Sequence, residues 1–291
     1  MSRIAYVNGQ YELHADAFVH VEDRGYQFAD AVYEVCEIRN GLIVDETGHM
    51  DRLGRSLSEL EIVNPMSRQA FGLVLREVVR RNLVKDGIVY IQVSRGVSPR
   101  NHAFPPAGVR PSVVLTAKHM KPKNAAAQKG GKAVTVPENR WERVDIKTVG
   151  LLSNCIAKEK ATQEGAYEAW YVTDDGMVTE GSSSNAWIVT KDGVLVTRQA
   201  TGGILKGITR GVVLRMCKQM GQRFEERAFS LEEAFEAREA FVTSATSIVM
   251  PIVQIDDRVI GNGHPGNTSI ELRKAFHSHA ELVPLHQPWQ I

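Results

Sequence analysis

Residues 87–120 read GIVYIQVSRGVSPRNHAFPPAGVRPSVVLTAKHM, and this stretch decides the fold of the first part of the chain. GIVYIQVSR and RPSVVLTAKHM are rich in β-branched residues, which favours two strands. The loop between them is stiffened by prolines and turned by glycines. It carries Arg95, Arg100 and His102 without an apolar period that would hold them on a core face. The pattern therefore predicts two strands joined by a loop that presents cationic hydrogen-bond donors.

The sequence before this stretch indicates more antiparallel β structure. RIAYV ends at Asn8-Gly9, and DAVYEVCEI ends at Asn40-Gly41 before the strand-like GLIVDE. Asn-Gly between alternating apolar residues is the strongest short-range signal for a hairpin. SRQAFGLVLREVVRRN has a helical apolar period behind a possible N-cap, Ser67. We expect a smaller N-terminal domain of α and β structure over residues 1–120.

The rest of the chain predicts a second, larger domain. KPKNAAAQKGGK, residues 121–132, lacks an apolar period and is the best candidate for an interdomain linker. In residues 133–291 the strand candidates are KAVTV, EAWYVTD, SNAWIVT, GVLVTR, EAFVTSA and PIVQID, and the helical patterns are NCIAKEKATQEG, GITRGVVLRMCKQMG and SLEEAFEA. The predicted fold class is mixed α and β (α+β) in two domains.

The composition limits the kinds of partner. The 291 residues include 35 Lys+Arg and 34 Asp+Glu, so little net charge is available to attract nucleic acid or an anionic membrane. No apolar run approaches the roughly 18 residues that span a bilayer, and the N-terminus has no secretory pattern. Three dispersed cysteines favour a reducing cytoplasm. The histidines lack metal-binding spacing, so we expect no metal site; this concerns His14, His20, His49, His277 and His279.

Two segments of the second half carry candidate chemistry. RWERVDIKTVGLLSN places Lys147 before an apolar pair, and a partly desolvated lysine can attack a carbonyl carbon. The simpler interpretation is a surface lysine at a strand end. MVTEGSSSN places Glu180 before a glycine and three serines, which tolerate the close approach of a ligand. An ordinary solvated turn is the alternative here.

A third segment predicts an anion site. TGGILKGITR runs into the helical pattern GVVLRMCKQMG, which would leave the backbone N–H groups of Ile208 and Thr209 at a helix start. The sequence contains neither a Walker loop nor a dinucleotide fingerprint. A reactive lysine, a carboxylate and a phosphate cradle are the three fixtures that pyridoxal 5′-phosphate (PLP) requires.

These residues resemble those of the fold-type IV PLP-dependent aminotransferases, and most closely the bacterial D-amino-acid transaminases. The resemblance covers nearly the whole chain and runs through EDRGYQFADAVYEV, HMDRLGRS, SRGVSPRNHAFP, DIKTVGLLSN, TEGSSSN, ILKGITR and TSATSIVMPI. It implies two domains with the cofactor at their interface, and a homodimer whose active sites are shared between subunits. It also implies ping-pong transfer of the amino group of a D-amino acid, such as D-alanine, to a 2-oxo acid, such as 2-oxoglutarate.

The resemblance assigns residues to the cofactor. Lys147 matches the lysine that binds PLP covalently and then moves a proton, and Glu180 matches the carboxylate at the pyridine nitrogen. Leu205 resembles the residue that packs against the ring. Arg140 resembles a contact of the phenolic oxygen. The residues that resemble phosphate contacts are Arg52, Ile208 and Thr209.

The resemblance also assigns a trap for the substrate carboxylate. Arg100 and His102 match the residues that in the family reach the site from the other subunit, and Tyr33 matches the third member. Charge-assisted hydrogen bonds contribute roughly 1.5 to 3 kcal/mol each, so the trap would have a large effect on substrate binding. Fixing the carboxylate on one side leaves the α-hydrogen of only one enantiomer facing Lys147.

Two positions depart from the family pattern. Ala245 stands where the family commonly has a phosphate-binding threonine, and Ile248 stands where it commonly has glutamate. Ser244 or Thr246 could supply the missing bond. Without a replacement we expect cofactor retention to weaken by about 1 to 3 kcal/mol.

Three other functions share these motifs. A branched-chain L-amino-acid transaminase has the same fold type, but it commonly carries a tyrosine five residues after the lysine, where this chain has Leu152. An aminodeoxychorismate lyase would share the cofactor site without the carboxylate loop. A PLP carrier without turnover would keep the anchor but would not need both Lys147 and Glu180.

Overall fold

A computed structural model describes residues 3–285 of the chain. It separates into two compact units, one comprising Met1–Pro122, Ile146–Gly150 and Glu281–Ile291, and the other comprising Lys123–Asp145 and Leu151–Ala280. Within residues 3–285 no helix combines the length and apolar character needed to cross a membrane.

The helices and strands follow one another in a mixed order. The first are β1 (Ile4–Val7), β2 (Gln10–Leu13), α1 (Arg24–Phe28), β3 (Ala31–Arg39), β4 (Leu42–Val44), α2 (Glu46–Glu59), α3 (Arg68–Arg81), β5 (Gly87–Ser94) and β6 (Ser112–His119). The next are α4 (Asn124–Lys129), β7 (Gly131–Pro137), α5 (Leu152–Gln163), β8 (Glu168–Val172), β9 (Met177–Gly181), β10 (Asn185–Val189), β11 (Leu195–Thr197) and α6 (Ile208–Met220). The last are β12 (Phe224–Glu226), β13 (Phe229–Ser230), α7 (Leu231–Glu236), β14 (Glu239–Ser244), β15 (Ile248–Ile255), β16 (Arg258–Val259), α8 (Asn267–His279) and β17 (Leu282–Pro284).

The first unit is built on an antiparallel sheet with the strand order β17-β4-β3-β5-β6-β1-β2. Both predicted hairpins are confirmed: Asn8-Gly9 joins β1 to β2, and Asn40-Gly41 joins β3 to β4. All four of these turn residues have positive φ, which asparagine and glycine tolerate best. Strands β5 and β6 pair as predicted, so their connecting loop leaves one edge of the pair.

Helices α2 and α3 pack on this sheet and fix which way β3 faces. Side chains alternate along a strand, and Glu34, Cys36 and Ile38 are buried while Tyr33 and Val35 are only half-buried. The predicted N-cap is confirmed, because the Ser67 hydroxyl accepts a hydrogen bond from the Ala70 amide at 3.2 Å. Tyr33 therefore lies on the sheet face away from the buried Glu34.

Residues 146–150 belong to the first unit, although the sequence grouped them with residues 133–291. The physical reason is backbone pairing with β3. Thr148 forms a bridge with Val32, and the Tyr33 amide donates to the Lys147 carbonyl at 3.0 Å. Strand β17 likewise pairs with β4 in this unit. Residues 286–291 of that predicted domain lie outside the described residues.

The second unit contains a mixed sheet with the path β12-β11-β10-β14-β15-β7-β8-β9-β13, and β16 pairs with β15. The strands and helices predicted after the linker are confirmed. The expected linker, residues 121–132, instead contains α4 and the start of β7, because its alanines favour a helix and Ala127 enters the core. Helix α8 was not predicted, since two of its buried residues, Thr268 and Ser269, are polar and weaken the apolar period.

Candidate active site

Lys147 lies beside Tyr33 in the first unit. Its Nζ is 4.1 Å from the centre of the Tyr33 ring, and its amide donates to the Ser56 hydroxyl at 3.4 Å. Lys147 is half-buried. The segment pairs with β3 on one side and is bound to α2 on the other, so the backbone that carries the amine is fixed. This geometry differs from that of a loose surface lysine.

Tyr33 is supported from behind by a second tyrosine. The rings of Tyr33 and Tyr90 stack at 5.7 Å, and the Tyr90 hydroxyl donates to Gln92 at 2.7 Å. Burial, together with the neighbouring Tyr33, raises the pKa of Tyr90 to about 12. Tyr90 therefore remains a neutral donor across the physiological pH range.

Arg52, predicted as a phosphate contact, is held by a buried carboxylate. Its Nε and Nη2 donate to the two oxygens of Glu34 at 2.7 and 2.8 Å. The Nδ1 atom of His49 lies 2.7 Å from the same carboxylate. Burial alone would raise the pKa of Glu34, but Arg52 and His49 outweigh it and lower the pKa to about 2. This cluster fixes both the charge and the orientation of Arg52.

The three cationic residues of the 95–106 loop have different environments. Arg95 is buried, and its Nε donates to Asp30 at 2.7 Å, so it belongs to the framework. Arg100 and His102 are exposed and both contact Phe28, with Arg100 Cζ 4.5 Å from the ring centre and the His102 ring at 5.5 Å. The loop therefore presents two of the three predicted cationic side chains.

Glu180 is the most enclosed candidate carboxylate of the second unit. It is 4% exposed, and it accepts hydrogen bonds from Arg140 Nη1 at 2.6 Å, Asn185 Nδ2 at 3.0 Å and the Leu205 amide at 3.2 Å. Burial raises the pKa of Glu180, and Arg140 offsets only part of that effect. A carboxylate in this state binds a proton donor more tightly than a solvated one does.

Arg140 serves two carboxylates at once. It donates to Glu138 from Nε at 2.8 Å and from Nη2 at 2.6 Å, and its guanidinium lies 4.3 Å from the centre of the Tyr171 ring. Burial opposes its charge, but Glu138 and Glu180 together raise its pKa. Arg140 has two anionic partners and Glu180 has one cationic partner, which explains why both pKa values are raised. The structure thus places Arg140 against Glu180.

Asn185 is a site residue that the sequence did not reveal. Its Nδ2 donates to Glu180 and, at 2.8 Å, to the Leu205 carbonyl, so it ties the carboxylate to the segment before α6. Gly207 makes this approach possible, because a Cβ there would lie 2.0 Å from Asn185 Oδ1. The only sequence signal was the position of Asn185 five residues after Glu180.

Helix α6 begins where the anion site was predicted. Gly207 is its N-cap, and no side chain in the described part of the chain caps it. The amides of Ile208 and Thr209 belong to the first turn, where N–H groups lack intrahelical acceptors. Thr209 is buried at 5% exposure. The sequence prediction of an open helix start is confirmed.

The turn after β14 carries the two remaining predicted phosphate residues. The hydroxyls of Ser244 and Thr246 lie 3.4 Å apart, and both residues are half-buried. Ile248 has a φ of +60°, a left-handed conformation that β-branched residues rarely adopt. The carbonyls on either side of it, those of Ser247 and Val249, accept hydrogen bonds from Arg273. Arg273 thus holds this turn in shape.

The serines after Glu180 have a different partner from the one expected. Ser182, Ser183 and Ser184 all donate to the buried carboxylate of Glu168, the last two at 3.1 and 2.8 Å. Their hydroxyls therefore fix the turn that carries Glu180. Glu168 is 1% exposed and was not singled out from the sequence.

The predicted residues fall into two groups, one in each unit. The first group offers an amine nucleophile and exposed cationic donors, and it contains Lys147, Tyr33, Arg52, Arg100 and His102. The second group offers a buried carboxylate and an open helix start, and it contains Glu180, Arg140, Leu205, Ile208, Thr209, Ser244 and Thr246. The sequence analysis had placed the lysine, carboxylate and phosphate cradle in one domain, whereas the strand pairing of residues 146–150 puts Lys147 in the first unit.

Solved structures define the class of fold. The branched-chain amino acid aminotransferase of Escherichia coli has a TM-score of 0.89 at 23% identity, covering 98% of this chain and 100% of that chain. The branched-chain amino acid aminotransferase of the organism abbreviated T.th., complexed with N-(5′-phosphopyridoxyl)-L-glutamate, has a TM-score of 0.86 at 25% identity, covering 96% of this chain and 94% of that chain. The fold is that of the fold-type IV aminotransferases.

Sequence comparison gives the family. Residues 31–255 match the family described as amino-transferase class IV. A D-alanine aminotransferase of Bacillus licheniformis is 39% identical over 269 residues, which are 92% of this chain and 94% of that protein. The chain belongs to the class IV aminotransferases.

Proposed function

We propose that this protein is a PLP-dependent transaminase that moves the amino group of a D-amino acid, such as D-alanine, to a 2-oxo acid, such as 2-oxoglutarate. The observation that carries the proposal is the position of Lys147 Nζ, 4.1 Å from the ring centre of Tyr33. It sets the candidate reacting amine beside a member of the predicted carboxylate trap. Similarity to D-alanine aminotransferases at 35 to 40% identity supports the D-amino-acid assignment.

The residues present fit PLP. The cofactor needs an amine, a carboxylate at its pyridine nitrogen and an anchor for its phosphate, and the chain offers a half-buried Lys147, a buried Glu180 and an uncapped α6 among its described residues. The phosphopyridoxyl compound in the T.th. aminotransferase complex supports the same cofactor. Bound PLP would supply the electron sink for the electron pair of the substrate's α-carbon.

We assign cofactor roles to residues of both units. Lys147 Nζ would hold PLP covalently and then carry a proton to and from the substrate's α-carbon. Glu180 would bind the pyridine N–H, and Asn185 and Arg140 orient its carboxylate for that bond. Leu205 would pack on the ring, while Arg140 is the candidate for the phenolic oxygen. In this proposal the second unit anchors the cofactor.

The phosphate would be bound by separate groups of donors. The amides of Ile208 and Thr209 at the start of α6 supply neutral donors and the positive end of a helix dipole. Arg52 supplies the cationic group, oriented by Glu34. The hydroxyls of Ser244 and Thr246 would complete the set, since Ala245 carries none.

Substrate handedness would come from the carboxylate trap. Arg100, His102 and Tyr33 would bind the α-carboxylate, so that only one enantiomer directs its α-hydrogen toward Lys147. Charge-assisted hydrogen bonds of roughly 1.5 to 3 kcal/mol each are strong enough to set this orientation. Ping-pong turnover follows if the same trap binds the 2-oxo acid in the second half-reaction.

We also propose a homodimer in which Arg100 and His102 serve the partner's site. Both side chains are exposed, and Phe18, Val21 and Tyr26 in the same unit are 77%, 72% and 76% exposed. Large apolar side chains on such a surface are typical of a protein interface. The three free cysteines support a reducing cytoplasm as the place of work.

A branched-chain L-amino-acid transaminase is the second candidate, because both solved structures described above are branched-chain amino acid aminotransferases. Leu152 argues against it: this residue, five after Lys147, is 75% exposed and has no hydroxyl. The test is to mix the PLP-loaded protein with D-alanine or L-leucine and to follow the absorption of the bound cofactor. Loss of the band with L-leucine alone would favour the second candidate.

A further inference from the structure

A buried cluster of charged residues lies under the loop that carries Arg100 and His102. Asp30 Oδ2 accepts a hydrogen bond from Arg24 Nε at 2.8 Å and one from Arg95 Nε at 2.7 Å. Arg24 is 3% exposed and Arg95 is 8% exposed. A buried carboxylate that serves two guanidinium groups fixes both, since an unpaired buried charge is costly.

Arg24 uses its remaining reach to bind the loop backbone. Its Nη1 donates to the Asn101 carbonyl at 2.6 Å and to the Ala103 carbonyl at 3.3 Å. These carbonyls lie on either side of His102. The Arg24 amide also donates to the Gly96 carbonyl at 2.9 Å, so one residue binds both the start and the middle of the loop.

Aromatic contacts continue this support to the side chains. The Phe28 ring lies one helical turn after Arg24 and is contacted by Arg24 at 4.8 Å and by Arg100 at 4.5 Å, with the His102 ring at 5.5 Å. Arg95 lies 3.6 Å from the centre of the Phe104 ring. Phe28 is therefore a shared platform for the two exposed cationic residues.

These contacts change when the loop is ordered. Fixing the backbone of one residue costs about 1 to 2 kcal/mol in entropy, so a free loop would incur this cost on binding a substrate. Carbonyls bound by a buried arginine order the loop when the protein folds. Arg100 and His102 then meet a carboxylate in a geometry that already exists.

We propose that Arg24, held by Asp30, is a positioning residue that presets the 95–104 loop for recognition of the substrate carboxylate. The inference rests on the proposed function, in which Arg100 and His102 bind that carboxylate. Arg24 acts through the backbone on either side of His102 and through Phe28. It touches no reacting atom itself.

The first test is Arg24→Lys, which keeps the charge but cannot span both carbonyls and Asp30 as a guanidinium does. The PLP-loaded variant is mixed with D-alanine, and single-turnover rates are measured against D-alanine concentration. We expect the half-saturating concentration to rise about tenfold, the size of one charge-assisted bond, with the maximal rate within about twofold of wild type. A lower maximal rate with unchanged half-saturation would overturn the proposal.

Two further variants separate positioning from general damage. Arg76→Lys is the matched control, because Arg76 is 8% exposed, binds Glu46 through two bonds and donates to the Gly72 carbonyl. It should lower the melting temperature without changing half-saturation by D-alanine. Asp30→Asn keeps the shape of the carboxylate and weakens its hold on both arginines, so it should reproduce the Arg24→Lys effect if that variant does not fold. An equal rise in Arg76→Lys would contradict a specific role.

Hydrogen–deuterium exchange tests the inference independently of turnover. Loop peptides covering residues 97–104 should exchange at least about tenfold faster in Arg24→Lys holoenzyme than in wild type or Arg76→Lys, since the loop loses a charge-assisted bond. If wild type does not react with D-alanine, the proposed function fails, and the exchange result alone then decides whether Arg24 orders the loop. Unchanged exchange would overturn the inference whatever the activity.

Discussion

Arg140 donates a hydrogen bond of 2.6 Å from Nη1 to Oε1 of Glu180, while its Nη2 binds Glu138 at the same distance. Two carboxylates therefore share one cation. The charge on Glu180 depends on how that cation is divided, because Glu138 raises the pKa of Glu180 and Arg140 lowers it.

Substitutions of the two partners should move the pH profile in opposite directions. Arg140→Met removes the cation and raises the pKa of Glu180 further, so the acid limb of kcat/KM should move to higher pH by about one unit. Glu138→Gln removes the competing carboxylate and should move that limb to lower pH. Profiles measured with D-alanine between about pH 5 and about 9 decide the matter. A shift of both variants in one direction would contradict the assignment.

Glu34 should make the fold sensitive to acid. Its pKa falls from 4.5 to about 2 in the folded protein, so its ionised form stabilises the fold above pH 4.5. This contribution, on the order of 3 kcal/mol, is lost as the pH falls from 4.5 toward 2. Urea unfolding midpoints should therefore fall steeply in this window for wild type and less steeply for Glu34→Gln.

Glu77→Gln is the control for that experiment. Glu77 also pairs with arginines, Arg80 and Arg81, and the pair lies on the surface of α3. Solvent screens such pairs, so the variant should change the free energy of unfolding by at most about 1 kcal/mol. A Glu34→Gln variant as mildly affected as Glu77→Gln at neutral pH would contradict a buried ion pair with Arg52.

Gly207→Ala should disturb the second group of site residues. The new Cβ would lie 2.0 Å from Asn185 Oδ1, which forces Asn185 away from Glu180 and Leu205. We expect a loss of about 1 to 3 kcal/mol in stability and faster release of PLP on dialysis. Gly203→Ala is the control, since its Cβ would meet nothing closer than Arg198 at 3.6 Å. Equal cofactor release from the two variants would count against the role of Asn185.

Ala245→Thr should strengthen binding of PLP. A hydroxyl at this position restores the phosphate contact that the family commonly has, and one hydrogen bond to a charged group is worth about 1.5 to 3 kcal/mol. The Kd for PLP, measured by titrating the apoprotein, should fall about tenfold or more. Ala245→Val has the same shape without the hydroxyl and should leave the Kd unchanged. A lower Kd in both variants would point to packing rather than to a hydrogen bond.

Local signals in the sequence predicted much of the fold. Asn8-Gly9 and Asn40-Gly41 mark hairpins because few residues accept positive φ, and Ser67 marks a helix start because its side chain binds an amide three residues on. Helix α8 escaped because its buried face includes polar residues that bind Glu239. The pairing of residues 146–150 with β3 is a tertiary contact with no local signature.

The candidate site follows the same division. Lys147 and Glu180 stand in recognisable segments, and the open start of α6 follows from its glycine-rich approach. Their supporting residues come from distant parts of the chain. Arg24 lies 77 residues from the carbonyl of Asn101 that it binds, and such pairings arise only when the sheet is assembled. The cationic loop was predicted as one group of donors, but Arg95 is drawn inward by Asp30.

The most direct test of the proposed transaminase is a half-reaction. The PLP-loaded protein is mixed with D-alanine without a 2-oxo acid, and in parallel with L-leucine, while the absorption of the bound cofactor is followed. We predict that D-alanine alone converts the cofactor band and that one pyruvate is released per bound PLP. Conversion by L-leucine alone, or no conversion by either amino acid, would contradict the account.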